Sequence, residues 1–276
     1  MLAFREGIKA GARVIETDIQ LSKDEVVVIC HDVDTGRCFD ANKAVQTTNY
    51  VGDLDQLRTK DKYQEPMPTF KQVALAFKND AEFQDVLLMI DIKRSNGPEV
   101  VPHLVKALEE VDTFDFWKSR CILGVWRPEV LAACEKLCPT LDLCYIGWDQ
   151  KLAYEFMKSS QIKAISLHYA SLSIAGGEQL MDEARKKGLQ VYTWTVNDPE
   201  PMKFSVAARL DGVITDFPDV LSRFFSSITE KDLYGEYFTS SPSQFYSWRG
   251  LGKMYSMYVT ATWAQKVANL TGYKAI

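Results

Sequence analysis

From residue 86 onward, short β-rich runs alternate with amphipathic, helix-like segments, and this rhythm constrains the fold more than any other feature. The runs occupy residues 86–93, 121–126, 141–148, 164–169, 190–196 and 212–216. The helical stretches between them are 98–111, 128–137, 150–159, 178–187 and 201–209, with Pro or Gly near several boundaries. Strands that alternate with helices are joined by crossovers and therefore run parallel. Two earlier strands, 13–21 and 25–30, are separated only by Ser22-Lys23-Asp24. That gap is too short for a helical crossover, so the pair reads as a hairpin. The count is seven strand–helix repeats plus one extra strand. This predicts an α/β fold, a (β/α)8 TIM-type barrel with one repeat fewer than eight. The barrel is expected over residues 1–225, with 34–85 as an insertion on the loop face. Thr69, before Phe70-Lys-Gln-Val, is a candidate N-cap within it.

In a chain of 276 residues, 46% hydrophobic, one barrel of ordinary size is affordable. A net charge of -5 gives no reason to expect nucleic acid as a partner. No apolar run reaches the ~18 residues of a spanning helix. The start, Met1-Leu-Ala-Phe-Arg-Glu, lacks a secretory layout. The expected location is the cytoplasmic side, not secreted. Six cysteines without CxxC spacing read as reduced, mostly buried thiols, and Cys134 with Cys138 lacks the histidines of a zinc set. Residues 226–276 form an aromatic, basic extension. From Arg249 to the end it carries Arg249, Lys253, Lys266 and Lys274 and no acid. Such a segment suits peripheral contact with an anionic membrane surface.

Strand alternation puts Glu16 and Asp18 on one face, opposite Ile15, Thr17 and Ile19. Paired carboxylates on an otherwise apolar strand demand a cation, and a hard divalent ion suits oxygen ligands at that spacing. Asp91 and Lys93 repeat the pattern at the carboxyl end of an apolar strand, where barrel sites are built. A buried Asp–Lys ion pair is the structural competitor. His31 ends the strand 25–30 and is a candidate general acid or base. His168, Trp194 and Asn197 end later strands and are candidates for lining a substrate pocket, whereas His103, inside a helical pattern, reads as structural.

These segments resemble the glycerophosphodiester phosphodiesterases, on a (β/α)8 barrel. The resemblance rests on residues 2–12, Ile15-Glu-Thr-Asp-Ile-Gln, Val28-Ile-Cys-His-Asp, Met67-Pro-Thr-Phe, Asp91-Ile-Lys, Thr193-Trp-Thr-Val-Asn and Gly212-Val-Ile-Thr-Asp-Phe-Pro-Asp. The stretch Leu123-Gly-Val-Trp-Arg-Pro-Glu is most similar to a fungal branch described as phosphatidylglycerol phospholipase C. The resemblance implies metal-dependent hydrolysis of a glycerophosphodiester or glycerophospholipid. Glu16, Asp18 and Asp91 would hold one divalent ion, Mg²⁺ or Ca²⁺; Lys93 would contact the phosphate; His31 would be one of two catalytic histidines. Where the family often has Glu, this chain has the shorter Asp91. The family's opening His-Arg-Gly and Pro-Glu-Asn motifs are absent from the sequence. Met1-Leu-Ala-Phe aligns inside the family's first helix, so the resemblance implies a barrel lacking its first strand and part of the first helix, shortened at its start and impaired in activity. A catalytically inactive lipid or phosphate binder is the alternative; a barrel lyase using a DxK pair has only Asp91-Ile-Lys93 behind it.

Overall fold

The computed structural model describes residues 1–228. The chain divides into two compact units, one spanning Met1–Leu143 and the other beginning at Cys144. The first unit opens with α1 (Leu2–Lys9), followed by β1 (Val14–Leu21) and β2 (Val27–Ile29). These two strands pair antiparallel, with Ile19 opposite Ile29 and Leu21 opposite Val27, so the expected hairpin forms, with a link of 22–26 because β2 starts two residues later than its sequence pattern suggests. After an irregular stretch come α2 (Phe70–Asn79), β3 (Leu87–Ile92), α3 (Val100–Glu109), α4 (Phe114–Lys118), β4 (Cys121–Val125) and α5 (Pro128–Leu137). The strand order is β2-β1-β3-β4, and β1, β3 and β4 run parallel. The fold is α/β, of the (β/α)8 class.

The second unit holds β5 (Asp142–Gly147, which starts two residues before the boundary), α6 (Gln150–Phe156), β6 (Ile162–His168), α7 (Tyr169–Ser173) and α8 (Gly177–Lys186). It continues with β7 (Gln190–Trp194), α9 (Pro199–Ala207), β8 (Gly212–Val213) and α10 (Pro218–Ser227). Its strands follow chain order, and β6, β7 and β8 are parallel. Two short helices, α4 and α7, have no counterpart in the sequence pattern, because five residues span too few turns to show a period. His103 sits half-buried on α3.

Continuous apolar runs explain the buried strands. Every residue of β4 is buried, as are Leu88 through Ile92 of β3, the pattern of strands covered on both faces. α2 and α3 contribute Phe70, Val73, Phe77, Val100, Leu104 and Leu108 to this core. Residues 34–85 are more ordered than an inserted loop would be. Phe39, Val45, Leu54, Leu57 and Met67 are buried there with Val28 and Cys30. Thr69 caps α2 reciprocally with Gln72: Thr69 Oγ1 accepts from the Gln72 amide at 3.2 Å, and Gln72 Oε1 from the Thr69 amide at 2.9 Å. The cysteines are unpaired, and all but Cys38 are buried. Among the described residues no helix is long and apolar enough to cross a membrane. The basic, aromatic stretch 249–276 lies outside the described residues.

Candidate active site

The site in the first unit follows from strand register. β1 and β3 are parallel with Asp18 opposite Asp91, so two carboxylates stand side by side on neighbouring strands. Glu16 lies two residues earlier on the same face of β1. Carboxyl oxygens of Glu16, Asp18 and Asp91 come within 4.8 Å of one another. Asp91 is buried, at 4% exposure, and Glu16 and Asp18 are half-buried. The shorter acid at 91 therefore still reaches the cluster.

Three carboxylates this close require positive charge. Lys93 supplies part of it, with its Nζ 3.1 Å from Asp18 Oδ1 and 3.6 Å from Asp91 Oδ2. Trp126, just past the end of β4, donates from Nε1 to Asp91 Oδ1 at 2.7 Å, and the Lys93 ammonium lies 5.8 Å from its ring centroid. Burial pushes the Asp91 carboxyl up to about 6; Lys93 opposes the shift and the charge on Asp18 adds to it. Burial disfavours the Lys93 ammonium, but Asp91 and Asp18 more than offset this and raise its pKa. The ion pair that competed with the metal reading is thus present, yet one ammonium faces three acids. The donor set, all hard oxygen, fits a divalent cation such as Mg²⁺ or Ca²⁺.

His31 is fixed by its backbone. The Cys30 amide donates to the Asp18 carbonyl at 3.1 Å, and the buried Gln20 side chain donates to the carbonyls of Cys30, at 3.2 Å, and Asp32. This holds the peptide bearing His31 against β1. Its ring is exposed, and Nδ1 lies 2.7 Å from Asp32 Oδ1. Asp32 also pairs with Arg37, and that contact first, then His31, holds its carboxyl below the usual range. His31 joins the wall of a cavity of about 440 Å³ with Phe4, Cys38, Phe39, Tyr63 and Pro66. The three carboxylates are not in that wall. The structure therefore brings Glu16, Asp18, Asp91 and Lys93 into one cluster, while the hydrogen bond of His31 goes to Asp32.

The remaining candidates belong to the second unit. His168 ends β6 and is stacked on Trp148, with ring centroids 3.8 Å apart. Trp194, at the end of β7, meets both rings edge-on, 5.4 Å from Trp148 and 5.1 Å from His168. His168 Nδ1 accepts from the Ala170 amide at 3.2 Å, so the neutral ring carries its proton on Nε2. Burial lowers its pKa to about 3. Asn197 organises its own loop, donating to Asp216 Oδ2 at 2.7 Å and accepting from Thr215 Oγ1 and the Asp216 amide, each at 3.0 Å.

Trp126, Gln20, Asn96 and Trp148 were not legible as site residues. Trp126 and Trp148 each follow a strand end, as Lys93 does, which was the available signal. Gln20 continues the Glu16–Asp18 face by two residues. Asn96 gave none: its side chain, 1% exposed, donates to the carbonyls of Ile19 and Lys93 and accepts from the Leu21 amide, tying the β3–α3 loop to β1.

Comparison with known proteins agrees with this geometry. Residues 1–220 match the Glycerophosphoryl diester phosphodiesterase family. The Bacillus subtilis protein YqiK, itself uncharacterized, is 30% identical over 230 residues, covering 80% of this chain and 90% of YqiK. A glycerophosphodiester phosphodiesterase of Caldanaerobacter subterraneus is 28% identical over 225 residues, covering 79% and 88%. Among solved structures, an Oleispira antarctica phosphodiesterase in complex with the product sn-glycerol-3-phosphate superposes with a TM-score of 0.68. It is 19% identical and covers 81% of this chain and 89% of that one. A match spanning nearly the whole described chain, with the acidic cluster inside it, shows that the chain belongs to the glycerophosphoryl diester phosphodiesterase family.

Proposed function

We propose that this chain hydrolyses a glycerophosphodiester or glycerophospholipid in a metal-dependent reaction, with phospholipase C-like cleavage of phosphatidylglycerol as the finer reading. The observation that carries it is the convergence of Glu16, Asp18 and Asp91 around a single lysine. Supporting it are the family match and the relative whose structure contains sn-glycerol-3-phosphate. Glu16, Asp18 and Asp91 hold the divalent ion, Mg²⁺ or Ca²⁺. When bound, such an ion neutralises phosphate oxygens and lowers the pKa of a nearby hydroxyl or water.

The chain's own groups do the rest. Lys93 has a protonated ammonium and stabilises negative charge developing on the phosphate in the transition state. Asp32, bonded to His31 Nδ1, favours the tautomer that leaves Nε2 open as a proton acceptor. His31 Nε2 takes the proton of the attacking hydroxyl or returns one to the leaving oxygen. In the second unit, taken by itself, His168 and Trp194 form a neutral aromatic surface suited to apolar groups, and Asn197 shapes the loop after β7. Peripheral contact of residues 249–276 with an anionic cytoplasmic membrane face completes the reading. The experiment is turnover of glycerophosphoglycerol with and without Mg²⁺ or Ca²⁺, in wild type and His31→Asn. Metal-dependent hydrolysis that falls about 10²–10⁴-fold in the variant is expected. Binding of the diester without any metal-dependent turnover would favour a non-catalytic binder.

A further inference from the structure

The hydrogen bond from Trp126 to Asp91 bears on which ion the carboxylates take. β3 and β4 run parallel with Asp91 opposite Gly124, and Trp126 lies two residues after that glycine, on the same face. The glycine offers Asp91 no side chain, and the Trp126 indole reaches it instead: Nε1 donates to Asp91 Oδ1 at 2.7 Å. Both residues are buried, and a hydrogen bond between buried groups costs more to break than one in water. The other oxygen, Oδ2, lies 3.6 Å from Lys93 Nζ, which is itself 3.1 Å from Asp18 Oδ1. The two oxygens of one carboxylate therefore have different neighbours, the indole for Oδ1 and the charge shared with Asp18 for Oδ2.

That asymmetry matters to a hard cation. Mg²⁺ demands near-octahedral coordination, keeps several waters and is served by single carboxylate oxygens. Ca²⁺ takes about six to eight oxygens in a looser shell and readily uses both oxygens of a carboxylate. Asp91 is the buried member of the three acids, whereas Glu16 and Asp18 are half-buried. It is thus the carboxylate with the least room to reorient around an ion. Partners that hold a metal ligand from behind fix its orientation and with it the site's affinity. A carboxylate with one oxygen hydrogen-bonded to a buried indole suits one-oxygen coordination and resists chelation through both.

We propose that Trp126 sets the metal preference of this site: by holding Asp91 Oδ1 it confines Asp91 to coordination through Oδ2, and so favours Mg²⁺ over Ca²⁺. The inference rests on the metal-dependent reading above and deepens it. Trp126 is a positioning residue, since it acts on the ion only through Asp91. The test is calorimetric titration of Mg²⁺ and of Ca²⁺, without substrate, into wild type and Trp126→Phe, which keeps an aromatic ring and removes the donor. Wild type should bind Mg²⁺ more tightly than Ca²⁺. The variant should lose about tenfold in Mg²⁺ affinity, the size of effect expected when a metal ligand loses its supporting partner. Its Ca²⁺ affinity should hold or tighten, as Asp91 gains the use of its second oxygen. The ratio of the two dissociation constants therefore moves about tenfold toward Ca²⁺, a change that a general loosening of the fold, weakening both ions alike, does not produce.

A second measurement does not depend on the Trp126 variant folding. Infrared difference spectra are recorded as Mg²⁺ is added to wild type, with the Asp91 bands identified by their absence in Asp91→Asn. Coordination through one oxygen widens the separation of the two carboxylate stretches, and coordination through both narrows it; widening is expected. The preference and the metal reading fail separately. Equal loss of both affinities in Trp126→Phe, no change in either, tighter binding of Ca²⁺ than of Mg²⁺ by wild type, or a narrowed Asp91 separation with Mg²⁺ would each overturn the proposal and leave the metal site standing. No binding of either ion to wild type would sink the metal reading, and the preference with it.

Discussion

At the residue scale, the central relationship is competition for three carboxylates. Lys93 lies between Asp18 and Asp91, the space a divalent ion would share. Lys93→Gln removes both the proposed phosphate contact and an internal rival for the metal. Its turnover should fall about 10²–10³-fold, in the range of lost transition-state stabilisers, while calorimetric metal affinity holds or tightens. A parallel loss of metal affinity would mean that Lys93 organises the carboxylates. His168 makes a separate prediction about stability. Its folded-state pKa, near 3 through burial, lies below the ordinary His value of 6.5. Between those values the unfolded chain binds the extra proton, so this contribution is fully present above about pH 6.5 and is lost as pH falls toward 3. The difference in urea-unfolding free energy between wild type and His168→Gln, which cancels the opposite trend of Asp91, should fall from pH 7 to 5 with a limiting slope of about 1.4 kcal/mol per pH unit. The alternating Glu16–Asp18 face and the Asp91–Lys93 pair were legible because a period of two assigns strand faces unambiguously. Trp126 was not, because its role depends on which strand lies beside β3, and that is a tertiary fact.

At the scale of elements, the hairpin and the parallel register do most of the positioning. A five-residue link, 22–26, forces β1 and β2 antiparallel, which returns the chain so that the Cys30 amide, one residue before His31, bonds the Asp18 carbonyl. One register then aligns Asp18 with Asp91. A one-residue slip would turn every side chain of β1 to the other face, burying Glu16 and Asp18 and exposing Ile15 and Ile19. The boundary of α2 was readable from Thr69-Phe-Lys-Gln, since a capping box is a purely local device. Thr69→Ala should cost about 1 kcal/mol, read as a lower urea midpoint at unchanged slope. The order of residues 34–68 was not readable. Its apolar residues, such as Phe39, Leu54 and Met67, are irregularly spaced and find each other only once the chain has folded back on Val28.

At the scale of the whole molecule, strand–helix alternation supplied the fold class, and the family match over residues 1–220 agrees with it. Both follow from the same cause: a parallel strand needs a crossover, and a crossover long enough to bury one side of a sheet has a visible period. The site inherits its position from that architecture, at the carboxyl ends of β1 and β3, where loops and strand termini meet. The central claim is that Glu16, Asp18 and Asp91 bind one divalent ion. The most direct measurement is calorimetric titration of Mg²⁺ and of Ca²⁺ into wild type and Asp91→Asn, with no substrate present. One ion per chain is expected, with affinity at least about tenfold weaker in the variant, since one of three charged ligands is neutralised. Binding of equal strength and stoichiometry in Asp91→Asn, or no binding of either ion to wild type, would contradict the account.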